Sequence, residues 1–310
     1  MPELPEVTTT VNGLQRVLPK LVILDVWTDL AKKNQPIKQY KDTIKSDAFF
    51  KSFKKKIVGE KIINVERRAK NILINISGGY TILIHLKMTG HLLYGKYIFN
   101  KKENKWTPDK SEMASLSDSY NRFIHVIFTL SNGKHLAFCD SRKFGKVTII
   151  KTSEIEKSLH LNNIGPEPLE KSFTLPKFKE RLLLKPNWKI KTVLMDQTVI
   201  AGIGNIYSDE MLWLSNIHPE SNPKKIPEAL ISKLYKSMKE ILVKGIDFGG
   251  DSMSDYRNIY GQKGNFQSQH NVYQKKGEKC VKKGCRGVIM RKVINGRSAH
   301  FCNIHQKIYD

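Results

Sequence analysis

The chain has 310 residues, enough for two domains with cores of their own, and its 53 lysines and arginines against 29 acids leave a formal charge of +24. That imbalance is costly in self-repulsion and points to a polyanionic partner, most often nucleic acid. No run of eighteen apolar residues occurs, so no membrane span is expected; the opening lacks the basic-then-apolar layout of a signal peptide, so a cytoplasmic protein is expected; and four cysteines are too few for a disulfide scaffold.

The first six residues read Met1-Pro2-Glu3-Leu4-Pro5-Glu6, and Val7, Val11, Leu14, Val17 and Leu18 then recur at helical spacing despite Asn12 and Gly13. From about residue 22 to 150 the text changes to short apolar or alternating runs at 61–65, 72–76, 80–86, 123–130, 135–139 and 146–150. Ser77-Gly78-Gly79 and the hairpin signal Ser131-Asn132-Gly133 separate them, as expected of a β-sandwich. The stretch 95–121 is polar and lysine-rich, without a period, and reads as an inserted surface loop. Gly165-Pro166-Glu167-Pro168 breaks the chain, and apolar positions three and four apart predict helices over 174–184, 188–198, 205–215 and 227–246. A glycine-rich stretch over 249–264 reads as a mobile loop, and the last thirty residues are short, basic and cysteine-bearing. The expected fold class is α+β. It has an N-terminal β-sandwich domain flanked by helices (1–150), a helical domain (151–270) and a small C-terminal zinc hairpin (271–310).

Four constellations carry chemistry. A small residue after the initiator normally allows Met1 to be removed, which would expose Pro2 as a secondary amine. Such an amine attacks an aldehyde-like carbon to form an iminium ion, so it serves as nucleophile and electron sink together. An α-amino group titrates near ~7.7–8.0 rather than the ~10.4 of lysine, and Glu3 and Glu6 lie close enough in sequence to move its protons. At the other end, four residues separate Cys280 from Cys285, sixteen separate Cys285 from Cys302, and two separate Cys302 from His305. Two close pairs of soft ligands joined by a hairpin-length spacer describe one tetrahedral, structural zinc ion, with His300 competing for the place of His305. Within that hairpin Asn295-Gly296-Arg297-Ser298 is a turn presenting an arginine, suited to a phosphate.

Lys191 to Tyr207 reads as helix, glycine turn (Gly202, Gly204) and helix, with Asn205 placed to cap the second helix where a phosphate could sit. A nucleotide-cofactor reading of Gly-Ile-Gly fails, because no strand precedes it and the third glycine falls on Tyr207. Lys70 opens an apolar strand, where a solvated edge lysine is the bland reading. Met88 and Arg142-Lys143-Phe144 combine a flexible apolar chain, a guanidinium and a ring, suited to filling the gap left by an unstacked base.

Taken in order, these pieces resemble the formamidopyrimidine-DNA glycosylase family over essentially the whole chain. The specific stretches are the opening hexapeptide, Arg67-Arg68-Ala69-Lys70, His85-Leu86-Lys87-Met88-Thr89-Gly90, Asp140 to Gly145, Gly165 to Leu169, and Leu194 to Glu210. The resemblance implies a monomeric base-excision repair enzyme acting on double-stranded DNA with oxidised bases. It would excise 8-oxoguanine and formamidopyrimidines, then cleave the abasic site by β,δ-elimination. By the same match Pro2 is the nucleophile, Glu3 the general acid, Glu6 a positioning group, and Lys70 serves the damaged base or its phosphate. Lys191, Asn205 and Arg297 match phosphate-binding residues, and Met88, Arg142 and Phe144 a void-filling trio. The 249–266 loop resembles the segment that closes over 8-oxoguanine. The wider first ligand pair, His305, Lys87, Lys143 and the 95–121 insert depart from the family pattern. A relative that prefers oxidised pyrimidines, or a zinc-bearing DNA binder without catalysis, are the alternatives.

Overall fold

A computed structural model describes residues 1–33 and 42–310. The chain forms two compact units, one of Met1–Asn162 with Phe248–Asn265 and the other of Asn163–Asp247 with Phe266–Asp310. The late segment Phe248–Asn265, which the sequence places with the helical region, thus folds in the first unit.

That unit begins with helix α1 (Leu4–Val17), whose buried stripe Leu4, Val7, Val11 and Leu14 follows the spacing of the sequence. Gly13 sits inside the helix because a Cβ there would come within 3.0 Å of the Ile259 side chain, which seals the same core. The strands are β1 (Ile23–Thr28), β2 (Ile62–Arg68), β3 (Asn71–Ile76), β4 (Tyr80–His85), β5 (His91–Gly95), β6 (Tyr97–Asn100), β7 (Lys105–Pro108), β8 (Ile124–Leu130), β9 (His135–Cys139) and β10 (Lys146–Lys151). They make two four-stranded antiparallel sheets, ordered β1-β8-β9-β5 and β10-β4-β3-β2, with β6 and β7 as a separate hairpin. Val26, Phe128, Leu136 and Phe138 of the first sheet and Val65, Ile74, Ile82 and Ile84 of the second share one buried cluster, the expected sandwich.

Two stretches differ from the sequence reading. Asp47–Ile57 is a helix, α2, within the region read as strands; Ser46 caps it by accepting the Phe49 N–H, and Phe53 and Ile57 enter the core. The 95–121 stretch is not a bare loop. Its β6–β7 hairpin packs Phe99 against Trp106, ring centroids 5.1 Å apart, and Tyr97 and Leu116 are buried with Ile124 and Ile127.

The second unit carries α3 (Leu175–Leu182), α4 (Ile190–Met195), α5 (Asn205–Ser215), α6 (Glu228–Asp247) and the hairpin β11 (Ile289–Ile294) and β12 (Arg297–Cys302). Trp213 of α5 lies in one apolar cluster with Val272, Ile289 and Cys302, which seats the hairpin on that helix. No helix among the described residues is long and apolar enough to cross a membrane.

Candidate active site and nucleic-acid interface

The start of α1 is built from its own acids. Glu3 is the N-cap and forms a reciprocal capping box with Glu6, the Glu3 N–H donating to Glu6 Oε2 at 2.7 Å. The other oxygen of Glu6 accepts the Asp251 N–H at 2.7 Å, and the Tyr256 hydroxyl donates to the Glu6 carbonyl at 3.0 Å. Pro2, Glu3 and Glu6 are all buried. The helix start and the 248–265 segment are therefore fixed to one another within the unit.

Antiparallel register then gathers cations at one end of a sheet. His85 pairs with both Asn71 and Lys146, and Lys70, buried, immediately precedes β3. Burial, with the ammonium groups of Lys87, Lys70 and Lys146 around it, pushes the His85 imidazole down to about 3. The Lys87 N–H donates to His85 Nδ1 at 3.0 Å, so the ring is neutral and carries its proton on Nε2. A cavity of about 500 Å³ is lined by Met1, Lys45, Lys87, Met88, Phe144 and Lys146 among others. Burial also lowers the ammonium pKa values of Lys45 and Lys146. This lysine cluster is invisible in sequence, since Lys45 and Lys87 lie on two separate turns and Lys146 opens β10.

One carboxylate sets the two loops that line the cavity. Asp140, fully buried, accepts the Thr89 hydroxyl and the Arg142 N–H (3.3 Å) on one oxygen and the Gly145 N–H (2.6 Å) on the other. The Met88 loop and the 142–144 loop thus hang from a single residue. Arg142 and Phe144 are exposed, with the guanidinium carbon 4.6 Å from the ring centroid. Gly145 is required because a Cβ would lie 2.2 Å from the Phe138 ring. The sequence marks the motif but not the role of its first residue; an aspartate opening a turn is the available signal.

In the second unit α4, the turn and α5 assemble as expected, with corrections in detail. Gly202, at φ +84°, makes the tight turn, and Gln197 ties it by accepting the Gly202 N–H and donating to the Ile203 carbonyl. The N-cap of α5 is Gly204, and Asn205 is the first helical residue rather than the cap. Lys191 is almost fully buried, with Nζ on Asp209 Oδ1 and 3.5 Å from the Asn205 carbonyl. Arg297 is exposed just past the Asn295-Gly296 turn, whose residues both have positive φ. A groove of about 340 Å³ is lined by Trp188, Lys191, Thr192, Asn295 and Arg297 among others, and Asn295 Nδ2 donates to Thr192 Oγ1 at 3.0 Å. Lys191 and Arg297 therefore line one groove, with Arg297 presented and Lys191 buried in its floor, while Asn205 meets Lys191 only through its backbone carbonyl.

The ligand atoms of Cys280, Cys285, Cys302 and His305 all lie within 4.8 Å of one another. Cys285 Sγ is 3.6 Å from Cys302 Sγ and 3.7 Å from His305 Nδ1, and Cys280 Sγ is 3.4 Å from His305 Nδ1. Bonds of about 2.3 Å to sulfur and about 2.0 Å to nitrogen give tetrahedral edges of roughly 3.5–3.8 Å, so the donor set fits a metal ion. His305 Nε2 faces the Trp213 carbonyl at 3.2 Å, which fixes the tautomer that leaves Nδ1 for the metal. His300, the competing ligand, is instead bound to Asp209 through Nδ1 at 3.1 Å.

Residues 1–147 match the family described as the formamidopyrimidine-DNA glycosylase N-terminal domain, and residues 164–257 match its H2TH domain. Formamidopyrimidine-DNA glycosylase of Pelotomaculum thermopropionicum is 37% identical over 99% of this chain and 100% of its own length. The Bacillus subtilis enzyme of the same name is 36% identical over 97% and 98%. Among solved structures, the Lactococcus lactis Fpg in complex with abasic-site DNA is similar at 30% identity and a TM-score of 0.80, covering 98% of this chain and 99% of that one. The wild-type L. lactis protein with DNA containing N7-benzyl-Fapy-dG gives 31% identity and 0.80 over 99% and 100%.

Proposed function

The chain belongs to the formamidopyrimidine-DNA glycosylase family and is a DNA glycosylase of base excision repair, and from that premise we propose how its own residues act. It excises oxidised purines, 8-oxoguanine and formamidopyrimidines, from duplex DNA and then cleaves the abasic site. The observation that carries this reading is the placement of the chain start, beside buried Glu3 and Glu6, on a cavity shared with Met88, Phe144 and three lysines.

After Met1 is removed, the Pro2 nitrogen attacks C1′ of the flipped nucleotide. The bond from C1′ to the base breaks and the base leaves with a proton. Glu3, held as the helix cap, supplies a proton to the sugar ring oxygen, and the ring opens to the iminium. The iminium withdraws electrons, so the C2′ proton is lost and the 3′ C–O bond breaks, followed in the second elimination by the 5′ C–O bond. Glu6 positions the helix start through its two backbone partners. Lys70, with the neighbouring lysines, supplies positive charge for the damaged base or its phosphate. Met88, Arg142 and Phe144 fill the vacated stack, and Asn205 and Arg297, over Lys191, hold the phosphate backbone.

Cys280, Cys285, Cys302 and His305 would hold one zinc ion, which supplies folding energy to a hairpin with little core of its own. The enzyme works in the cytoplasm as a monomer.

Borohydride trapping on an 8-oxoguanine duplex, followed by peptide mapping, tests the assignment. The adduct is expected on Pro2, with trapping largely lost in Pro2→Gly. An adduct on Lys70, or retention of Met1 in an active preparation by intact mass, would refute it. Faster excision of thymine glycol than of 8-oxoguanine would refute the substrate class.

A further inference from the structure

The 248–265 loop is held from two sides, and only one side is the catalytic helix. On that side Glu6 binds the Asp251 N–H and the Tyr256 hydroxyl reaches the Glu6 carbonyl. On the other side stands the insert. Ser115 Oγ donates to the Tyr260 carbonyl at 2.6 Å, and Asn121 Nδ2 donates to the Ser115 carbonyl at 2.8 Å and the Gly261 carbonyl at 3.5 Å. The fit is tight, since a Cβ on Gly261 would sit 2.5 Å from the Ser115 carbonyl oxygen.

Between these ties lies Arg257, with no exposed surface. Its Nη1 closes the loop on itself, donating to the Ser254 carbonyl at 2.8 Å and the Tyr256 carbonyl at 2.9 Å. Its Nη2 is 3.5 Å from the Asp118 carboxylate, and its guanidinium carbon lies 4.6 Å from the Tyr120 ring centroid. A guanidinium buried without a counter-charge is strongly unfavourable. Asp118 and Tyr120 both belong to the insert, so the insert supplies what allows this loop to fold inward. The exposed tip at Met253 is then bracketed by an anchor at Asp251 and another at Arg257.

We propose that the 95–121 insert is a positioning element for the 248–265 loop, in which Asp118 and Tyr120 hold Arg257 so that the Met253 tip is preset to meet the flipped base. The insert thereby acts on excision of a base and not on cleavage of a site that has already lost one. This rests on the reading of the loop as the segment that closes over the lesion. An organised loop needs less ordering when substrate arrives, which raises the fraction of bound complexes competent for the first step.

The test compares Tyr120→Ala, Tyr120→Phe and Asp118→Asn on two duplexes of one sequence, one with 8-oxoguanine opposite cytosine and one with a preformed abasic site. Tyr120→Ala should slow single-turnover excision of 8-oxoguanine about three- to fivefold, the scale of a partly exposed cation–π contact, and Asp118→Asn should slow it in the same direction. Abasic-site cleavage should stay within about twofold. Tyr120→Phe keeps the ring and should restore excision. Amides of 251–264 should exchange hydrogen faster in Tyr120→Ala. Unchanged excision in Tyr120→Ala, or an equal fall in both activities, would overturn the proposal. Failure of the unaltered protein on both duplexes would instead overturn the glycosylase–lyase reading, so the two failures are distinct.

Discussion

Glu6→Gln exchanges one oxygen for an NH2 group without changing shape, at a residue whose two oxygens each accept a backbone N–H at 2.7 Å. Whichever way the amide turns, its NH2 group faces a backbone donor in a site that is 2% exposed. Turned one way it releases Asp251 and the loop; turned the other it releases Glu3 and the helix start. The loss is one charge-assisted hydrogen bond with a buried donor left unmatched, about 1.5–3 kcal/mol. That corresponds to roughly 10- to 150-fold in the population that holds the native arrangement. For a unit of this size the melting point should fall by roughly 3–12 °C. Thermal unfolding and borohydride trapping on an 8-oxoguanine duplex are the assays. Both a lower melting point and at least about tenfold slower trapping are expected. Wild-type values for both would show that the doubly accepting carboxylate does not fix the helix start.

Three other outcomes follow from the geometry. His85 is neutral when folded, with its pKa lowered to about 3, while the unfolded residue titrates near ~6.5. Its contribution is fully present above ~6.5 and is lost as pH falls toward 3, roughly 2 kcal/mol by pH 5; urea unfolding of His85→Asn should lack that part of the acid slope, and an unchanged slope would refute it. Arg297→Ala should weaken binding to damaged and undamaged duplexes alike and reduce the salt slope by about 1, read by fluorescence anisotropy across a salt series. Native mass spectrometry should find one zinc ion per chain, reduced in His305→Ala but kept in His300→Ala, and chelation should raise hydrogen exchange across 280–305.

Short apolar runs mark the strands well because β3, β4, β8 and β9 are buried on both faces for most of their length, so these and β10 fall within a residue or so of where the pattern puts them. Helix α2 escaped because Phe49, Phe50 and Phe53 suit a strand as well as a helix, and its cap, Ser46, is legible only once the helix is suspected. The insert escaped for the opposite reason, as a hairpin needs just one apolar face and lysines mask the other. Glycines in 249–264 suggested mobility, yet Gly250 has φ +84° and a Cβ there would meet Glu6 at 2.9 Å. At that position glycine serves close approach, and an unfilled side chain looks the same in sequence whichever purpose it has.

Lys191 has a structural partner that the sequence does not reveal. It lies on α4 and matches a phosphate-binding residue of the family, and Asp209, fully buried, takes its ammonium group and also accepts the His300 N–H at 2.9 Å. A carboxylate eighteen residues on thus binds one helix to another and to the hairpin strand ninety-one residues further still. Such a pair is close to neutral seen from outside, which leaves Arg297 as the exposed cation of the groove. Arg297 opens the same strand that Asp209 holds through the His300 N–H, so its turn stands on a fixed base.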